Sequence, residues 1–138
     1  MRIDKNDLLL YAVTDRQWLG EASLAEQLEE AIQAGVTVVQ LREKELDFDA
    51  FVSLGKELQA VAKRHRIPFI INDAVDVALA LDADGVHVGQ SDMQAGDVRS
   101  RIGEGKILGV SAHSVEEALA AERNGADYLG VGAIYGTA

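Results

Sequence analysis

Short apolar runs alternate along the chain with longer stretches in which apolar residues recur at helical spacing. The run at residues 8–13 is almost entirely apolar, as expected for a strand that is buried on both faces. Similar runs at 36–41, 69–71, 85–88, 107–110 and 128–131 bring the number of predicted strands to six. Strand starts recur roughly every 20 to 30 residues, which is the period of a single strand–helix unit.

The stretches between these runs carry the signals of helix ends. Ser23 precedes Glu26 by three residues, and Ser114 precedes Glu117 by three, so both pairs fit capping boxes at helix N-termini. Gly35 stands where the left-handed residue after a helix belongs. Helices are therefore expected from Ser23 to Gly35, over 49–64, over 73–83, weakly over 97–102, and from Ser114 to Gly125.

Repeated strand–helix units predict an α/β fold with a parallel sheet, either doubly wound or closed into a barrel. No glycine-rich phosphate loop follows the first strand, where the sequence DRQW stands at 15–18, and this disfavours the dinucleotide-binding version. The pattern favours a (β/α)8 TIM barrel. A closed barrel has eight units in about 250 residues, so we expect residues 1–138 to form a single, incomplete barrel domain with about six units, belonging to a longer chain.

Composition limits the partners of this fold. Lys and Arg total 13 against 23 Asp and Glu, and the formal net charge of -10 opposes the attraction to phosphate that drives general nucleic-acid binding. Neither a membrane-spanning run nor a signal peptide is evident. The absence of cysteine excludes disulfides and thiolate metal sites and is compatible with a cytoplasmic location. Binding of a small anionic substrate stays possible, because a local cluster of basic residues can outweigh the net charge within a Debye length.

The residues that follow the predicted strands are the candidates for function, since catalytic groups of this barrel lie at the carboxyl ends of its strands. Gln40, Arg42 and Lys44 alternate after the second strand and therefore share one face of the extended chain. The polar residues that follow the third, fourth and fifth strands are Asn72 and Asp73, Gln90 and Asp92, and Ser111 and His113.

These residue types predict a pocket for a magnesium diphosphate. Arg42 and Lys44 suit a phosphate or diphosphate group. Asp73 and Asp92 suit Mg²⁺, which is usually held by one or two carboxylates together with phosphate oxygens of the substrate. Two structural alternatives stay open: the two basic residues form a solvated pair beside neighbouring glutamates, and Asp73 caps the helix that follows it.

The remaining candidates carry weaker signals. Ser111 has no evident general base, so a hydrogen bond to substrate is a better expectation than a nucleophilic role. His87 lies within an apolar strand and is expected to be a hydrogen-bonded core residue. His113 is left open between substrate contact and loop structure.

Six segments, in order along essentially the whole chain, resemble the thiamine-phosphate synthase (thiamine-phosphate pyrophosphorylase) family: YAVTD at 11–15, QLREK at 40–44, IIND at 70–73, GVHVGQSDM at 85–93, GVSAH at 109–113 and YLGVG at 128–132. The resemblance implies that an aminopyrimidine diphosphate binds to Gln40, Arg42, Lys44 and Asn72. It further implies that Asp73 and Asp92 hold Mg²⁺ and that Ser111 contacts the pyrimidine.

The resemblance also implies a reaction. The family is a transferase that couples 4-amino-2-methyl-5-(diphosphooxymethyl)pyrimidine to a thiazole phosphate, and diphosphate leaves first to give a stabilised cation. Arg42, Lys44 and Ser111 are the expected catalytic residues. The family's thiazole-phosphate loop would begin near Thr137, which is therefore expected to bind substrate. A polypeptide that ends at Ala138 is expected to lack synthase activity, and a homo-oligomer stays open.

Two other functions compete with this one. A thiazole tautomerase is an isomerase on the same barrel, but it needs neither the diphosphate nor the metal residues, so Asn72, Asp73 and Asp92 favour the synthase. The second alternative is a non-catalytic half-barrel that binds a phosphate ligand and is completed by another chain.

Overall fold

Strands and helices alternate throughout the part of the chain that the computed structural model describes, residues 3–90 and 95–136, with Trp18 described by its backbone alone. The strands are β1 (Tyr11–Val13), β2 (Val38–Leu41), β3 (Phe69–Asn72), β4 (Gly85–Val88), β5 (Ile107–Ala112) and β6 (Tyr128–Val131). The helices are α1 (Leu24–Gln33), α2 (Phe48–Arg64), α3 (Val75–Leu81), α4 (Ala95–Ile102) and α5 (Val115–Arg123), with a 3-10 turn at Arg16–Trp18. Within these described ranges no helix combines the length and the apolar character that crossing a membrane requires.

All six strands form one parallel sheet in the order β1-β2-β3-β4-β5-β6. This order never reverses, as it would at the switch point of a doubly wound sheet. The sheet also curls strongly, because the hydroxyls of Tyr11 on β1 and Tyr128 on β6 lie 2.5 Å apart. Strands five places apart in a flat sheet would be separated by about 24 Å. The predicted barrel architecture, with six of its strands in this chain, is therefore confirmed.

The two faces of the curled sheet bury two different cores. Side chains alternate across each strand, so Val39 and Val86 pack outward with residues of the helices, among them Leu58. The inward neighbours Val38, Ile70 and Ile107 form a smaller cluster with Ile3 inside the barrel. The outer core holds the helices on the sheet, and the inner core fills the barrel below the polar strand ends.

Local signals placed most of the helix ends correctly. Ser23 and Ser114 are the N-caps of α1 and α5, and their side chains accept hydrogen bonds from the backbone N–H groups of Glu26 and Glu117. Gly35 has the predicted positive φ, +123°. These caps set where the helices start and hence how the chain enters the strands between them.

The first strand is shorter than predicted. The prediction of a strand over 8–13 is wrong at its start, because residues 8–10 lie in turns and bends. The cause is polar: the Asp4 carboxylate accepts the backbone N–H groups of Asn6 and Asp7, and the Thr37 hydroxyl donates to the Asp7 carbonyl at 2.6 Å. Residues 4–10 are thereby drawn into a capped turn that closes the amino-terminal side of β1.

Arg99 joins three segments through a buried ion pair. Its guanidinium contacts the Asp127 carboxylate at 2.7 Å, and both side chains are 8% exposed. The same guanidinium donates to the backbone carbonyls of Gly103, Lys106 and Gly125. The end of α4, the loop before β5 and the loop before β6 are therefore held by one side chain.

Candidate active site

A pocket of about 500 Å³ opens at the carboxyl ends of the strands. Every strand contributes to its wall, as expected of a barrel whose loops converge at that end. The lining residues are Leu8, Tyr11, Val13, Gln40, Arg42, Asn72, His87, Ser111, Tyr128, Leu129 and Gly130. Four residues predicted to bind substrate, namely Gln40, Arg42, Asn72 and Ser111, are thus brought to one cavity.

Lys44 and Asp73 meet at the edge of this pocket. The Lys44 ammonium lies 2.6 Å from Asp73 Oδ2 and 3.1 Å from Asn72 Oδ1. The alternative role of Asp73 as a helix cap is wrong: Ala74 is the N-cap of α3, and no side chain caps that end. Asp73 instead has a left-handed backbone, with φ of +60°, a conformation that Asp tolerates better than most residues and that often marks functional sites.

Arg42 and Glu43 project to opposite sides of the chain after β2. Glu43 forms an ion pair with Arg16 at 2.8 Å, which ties the turn after β1 to β2. Arg42 lines the pocket, and its guanidinium forms no hydrogen bond or ion pair with any described residue. The pocket mouth therefore offers one unneutralised guanidinium beside an ammonium, in a chain whose net charge is -10.

A continuous run of hydrogen bonds crosses the barrel from Lys44 to Ser111. Asn72 Nδ2 donates to Gln40 Oε1 at 2.8 Å, and Gln40 Nε2 donates to the Tyr11 hydroxyl at 2.9 Å. The Tyr11 and Tyr128 hydroxyls are 2.5 Å apart, His87 Nδ1 is 3.0 Å from the Tyr128 hydroxyl, and His87 Nε2 is 2.8 Å from Ser111 Oγ. We call these seven residues the polar chain: Lys44, Asn72, Gln40, Tyr11, Tyr128, His87 and Ser111.

The residues between the two ends of the polar chain are buried or partly buried. Gln40 is 3% exposed and His87 8% exposed. Burial raises the pKa of both the Tyr11 and the Tyr128 phenols above their ordinary value of about 10. Both phenols are therefore neutral hydrogen-bonding groups at physiological pH. The expectation that His87 is a hydrogen-bonded core residue is confirmed, and His87 also lines the pocket.

The contact between Tyr128 and His87 depends on a glycine in β5. A Cβ added at Gly109 would collide with the Tyr128 ring and lie 2.6 Å from His87 Nδ1. We expect Gly109→Ala to lower the free energy of unfolding by about 1–3 kcal/mol, the usual cost of overpacking. Urea unfolding measures this effect.

Gly105→Ala is the matched control for this substitution, because a Cβ at Gly105 meets no heavy atom within 4 Å. It should change the free energy of unfolding by less than about 0.5 kcal/mol. Equal effects of the two substitutions would show that Gly109 is not needed for the close approach of Tyr128 and His87.

Two further strand-end residues have structural partners. The His113 side chain is 61% exposed, and both its backbone N–H and its ring Nδ1 contact Glu117 Oε1. This arrangement favours the loop role that the sequence left open. Gln90 Nε2 donates to the Ser111 carbonyl at 2.7 Å, which fixes the loop after β4 against the end of β5.

Part of the predicted metal site can be placed. Asp92 and Thr137 lie outside the described residues, so Asp73 is the predicted metal ligand with a described position. Within 3–90 and 95–136, no group of three or more His, Cys, Asp or Glu side chains is arranged to hold a metal. A partly exposed carboxylate such as that of Asp73 still fits Mg²⁺, because that ion takes few carboxylates and several phosphate or water oxygens.

Tyr11 and Tyr128 were missed by reasoning from the sequence. Each stands two positions before another pocket residue, Val13 and Gly130 respectively, so the alternation of side chains along a strand places both tyrosines on the pocket face. A hydroxyl-bearing residue at an inward position of a buried strand was the available signal.

The fold and these strand-end residues define a (β/α) barrel protein with a polar pocket at the carboxyl ends of its strands. A sequence model of the family described as thiamine monophosphate synthase matches residues 10–138. The chain therefore belongs to the thiamine monophosphate synthase family.

Individual relatives agree with this assignment. A thiamine-phosphate synthase of Clostridium acetobutylicum is 57% identical over 131 residues, which cover 95% of this chain and 62% of that protein. The corresponding protein of Clostridium tetani is 53% identical over 131 residues and is covered to 63%. The chain thus spans a little over three fifths of the length of these relatives.

Solved structures match the same fold. The thiamine phosphate pyrophosphorylase from Pyrococcus furiosus superposes with a TM-score of 0.87 at 40% identity, over 95% of this chain and 63% of that one. A 2,3-dimethylmalate lyase of the PEP mutase/isocitrate lyase superfamily matches with a TM-score of 0.61 at 15% identity and shares the fold alone.

Proposed function

We propose that this protein acts as a thiamine-phosphate synthase, a transferase, and that the described pocket binds 4-amino-2-methyl-5-(diphosphooxymethyl)pyrimidine. The observation that carries the proposal is the edge at which Lys44 contacts both Asn72 and Asp73, beside the pocket that Arg42 and Asn72 line. This edge combines two cations with a carboxylate and an amide, the set that a magnesium diphosphate requires. The family membership and the 57% identical relative support the same assignment.

The two ends of the pocket suit the two ends of this substrate. The diphosphate belongs at the mouth, where the Arg42 guanidinium has no described protein partner and Lys44 is half exposed. The pyrimidine belongs deeper, between the tyrosines and Ser111, where the wall offers apolar area and hydrogen-bonding groups together. Asn72 lies between these regions, since its side chain contacts both Lys44 and Gln40.

The residues of this chain would promote departure of the diphosphate. Arg42 and Lys44 hold positive charge where negative charge develops on the leaving group, and this lowers the barrier without any covalent intermediate. Mg²⁺, held by Asp73 and Asp92, would neutralise further charge on the diphosphate oxygens. The buried pocket floor limits the access of water to the cation that forms. The lone pair of the thiazole nitrogen would then form a C–N bond to the methylene carbon from which the diphosphate departed, and Thr137 would be among the contacts of the thiazole phosphate.

The tautomerase alternative is less well supported, because such an isomerase needs no cationic and carboxylate edge for a diphosphate. A non-catalytic half-barrel that binds a phosphate ligand would share the edge but would need no metal. Dependence of ligand binding on magnesium therefore separates the synthase from that alternative.

The proposed metal site is tested by titrating the protein with the pyrimidine diphosphate, with and without Mg²⁺, for wild type and Asp73→Asn. We expect Mg²⁺ to tighten binding to wild type by about tenfold or more, equivalent to about 1.4 kcal/mol. Asp73→Asn should lose most of this gain. Its metal-free binding should not weaken, because Lys44 is released from its ion pair with Asp73.

Asp49→Asn is the matched control, since Asp49 is exposed in the first turn of α2. It should keep the full magnesium effect. If wild type bound the diphosphate equally well with and without Mg²⁺, the metal site would be refuted and the non-catalytic alternative favoured.

A further inference from the structure

We propose that the hydrogen bonds of the polar chain all point the same way, with each residue donating to the next from Lys44 to Ser111. This direction fixes His87 as the tautomer protonated at Nε2. It also presents the Ser111 hydroxyl proton to the pocket. Tyr11, Tyr128 and His87 are then positioning residues that act through Ser111. The positions of the hydrogen atoms in this site follow from which heavy atoms can donate and which can accept.

The direction begins at Lys44. An ammonium group only donates, so the atom of Asn72 that lies 3.1 Å from Lys44 Nζ is the amide oxygen. The Asn72 NH₂ group consequently points to Gln40 and donates to its oxygen. The Gln40 NH₂ group is then left to face the Tyr11 hydroxyl. The Lys44 ammonium therefore fixes the orientation of the Asn72 and Gln40 side-chain amides, in which the shape alone does not distinguish oxygen from nitrogen.

The two tyrosine hydroxyls continue the same donor-to-acceptor order across the barrel. Each neutral phenol has a single proton, and burial keeps both phenols neutral by raising the pKa of Tyr11 and Tyr128. Because Tyr11 accepts from Gln40, its own proton goes to the Tyr128 oxygen, 2.5 Å away. The Tyr128 proton then goes to His87 Nδ1 at 3.0 Å.

The histidine tautomer follows from the phenols. A neutral imidazole that accepts at Nδ1 carries its proton on Nε2, and that proton is donated to Ser111 Oγ at 2.8 Å. If the direction were reversed beyond Gln40, the Tyr11 proton would have no acceptor among the described residues. If His87 were an imidazolium, the Tyr128 proton would have none. Both tyrosines are partly buried at the pocket wall, and the direction from Lys44 to Ser111 is the one that gives every donor group between Lys44 and Ser111 a described protein acceptor.

Ser111 is consequently a donor toward the pocket. Its oxygen accepts from His87, and its proton is directed to whatever ligand atom lies beside it. The pocket therefore selects a lone-pair acceptor at this point and disfavours an amine. Identifying that acceptor as a pyrimidine ring nitrogen rests on the proposed function, whereas the tautomer of His87 does not.

The direct test is nitrogen NMR of the ligand-free protein labelled with ¹⁵N-histidine. The chemical shifts and two-bond proton couplings of the His87 ring distinguish a protonated Nε2 from a protonated Nδ1. At neutral pH we expect a bare Nδ1 and a protonated Nε2. A protonated Nδ1, alone or together with Nε2, would overturn the proposal.

Asn72→Asp tests whether Lys44 sets the direction of the hydrogen bonds in the polar chain. A carboxylate at position 72 accepts from both Lys44 and Gln40, so the Gln40 amide must turn its oxygen toward Tyr11. Every later hydrogen bond then reverses, and His87 should switch to the Nδ1-protonated form. Asn6→Asp makes the same chemical change at an exposed position outside the polar chain and should leave the tautomer unchanged.

Tyr128→Phe shows whether the effect of Asn72→Asp reaches His87 through the hydrogen bonds of the polar chain or through a general disturbance of the fold. In this background the link between Gln40 and His87 is cut, so adding Asn72→Asp should no longer alter the His87 tautomer. If Asn72→Asp left the tautomer unchanged in the otherwise wild-type protein, or still changed it when Tyr128 is replaced, the directional chain would be wrong. These results do not depend on substrate, so they stand apart from failure of the proposed function.

Discussion

Replacing Lys44 with methionine is expected to weaken binding of the pyrimidine diphosphate by roughly ten- to hundredfold. The physical reason is the loss of charge-assisted hydrogen bonds, which contribute about 1.5–3 kcal/mol each, and tenfold in affinity corresponds to about 1.4 kcal/mol. Calorimetric titration at constant Mg²⁺ measures the effect.

Lys56→Met is the matched control, because Lys56 is exposed on α2. Its affinity for the diphosphate should equal that of wild type. Lys44→Met should also change the free energy of unfolding by less than about 1 kcal/mol, since Lys44 is half exposed and exposed ion pairs contribute little. An affinity loss shared by both substitutions would indicate a general charge effect and contradict a specific role of Lys44.

Replacing Arg99 with methionine is expected to lower the free energy of unfolding by about 3–5 kcal/mol, the range found when one partner of a buried ion pair is removed. The cost arises because the Asp127 carboxylate, which also accepts the Leu108 N–H, stays buried after losing the guanidinium charge that lies 2.7 Å away. Three backbone carbonyls also lose the guanidinium that they share, those of Gly103, Lys106 and Gly125. Urea unfolding measures the change.

Arg101→Met in the same helix is the control for Arg99→Met. Arg101 pairs with Asp76 at the surface, where the two side chains are 38% and 70% exposed, and its removal should cost less than about 1 kcal/mol. Replacing Asp127 with leucine in the Arg99→Met background should recover part of the loss, because it removes a buried negative charge that no longer has its arginine. Similar costs for the two arginine substitutions would contradict the anchoring role of Arg99.

The sequence predicted the fold well wherever local signals decided it. The capping serines Ser23 and Ser114 placed two helix starts, and the apolar runs located all six described strands. The start of β1 was the exception, because residues 8–10 have the composition of a strand. The Asp4 carboxylate instead holds the turn just before them, and the Leu10 N–H donates to the hydroxyl of Thr37, which comes from the chain just before β2. Hydrophobic patterning does not report such contacts.

The candidate site was predictable in part for a similar reason. Gln40, Arg42, Asn72 and Ser111 could be grouped because the carboxyl ends of parallel strands converge, and they do line one pocket. Tyr11 and Tyr128 could not be paired, since they are 117 positions apart and meet only because the sheet curls. Curvature is a property of the whole sheet and is not encoded in any one strand.

Asp73 illustrates how backbone conformation decides between two roles. Its position before a helix suggested an N-cap, but its left-handed φ of +60° places the start of α3 two residues later and turns the carboxylate to Lys44. Such a conformation is uncommon for a residue other than glycine, so sequence alone favoured the commoner arrangement.

Titration of the purified protein with the pyrimidine diphosphate at saturating Mg²⁺ tests the central claim most directly. We predict saturable binding at one site per chain, competed by inorganic diphosphate, because the ligand's charged end would occupy the edge formed by Arg42, Lys44 and Asp73. Absence of saturable binding, or binding that inorganic diphosphate does not displace, would contradict the assignment of this pocket.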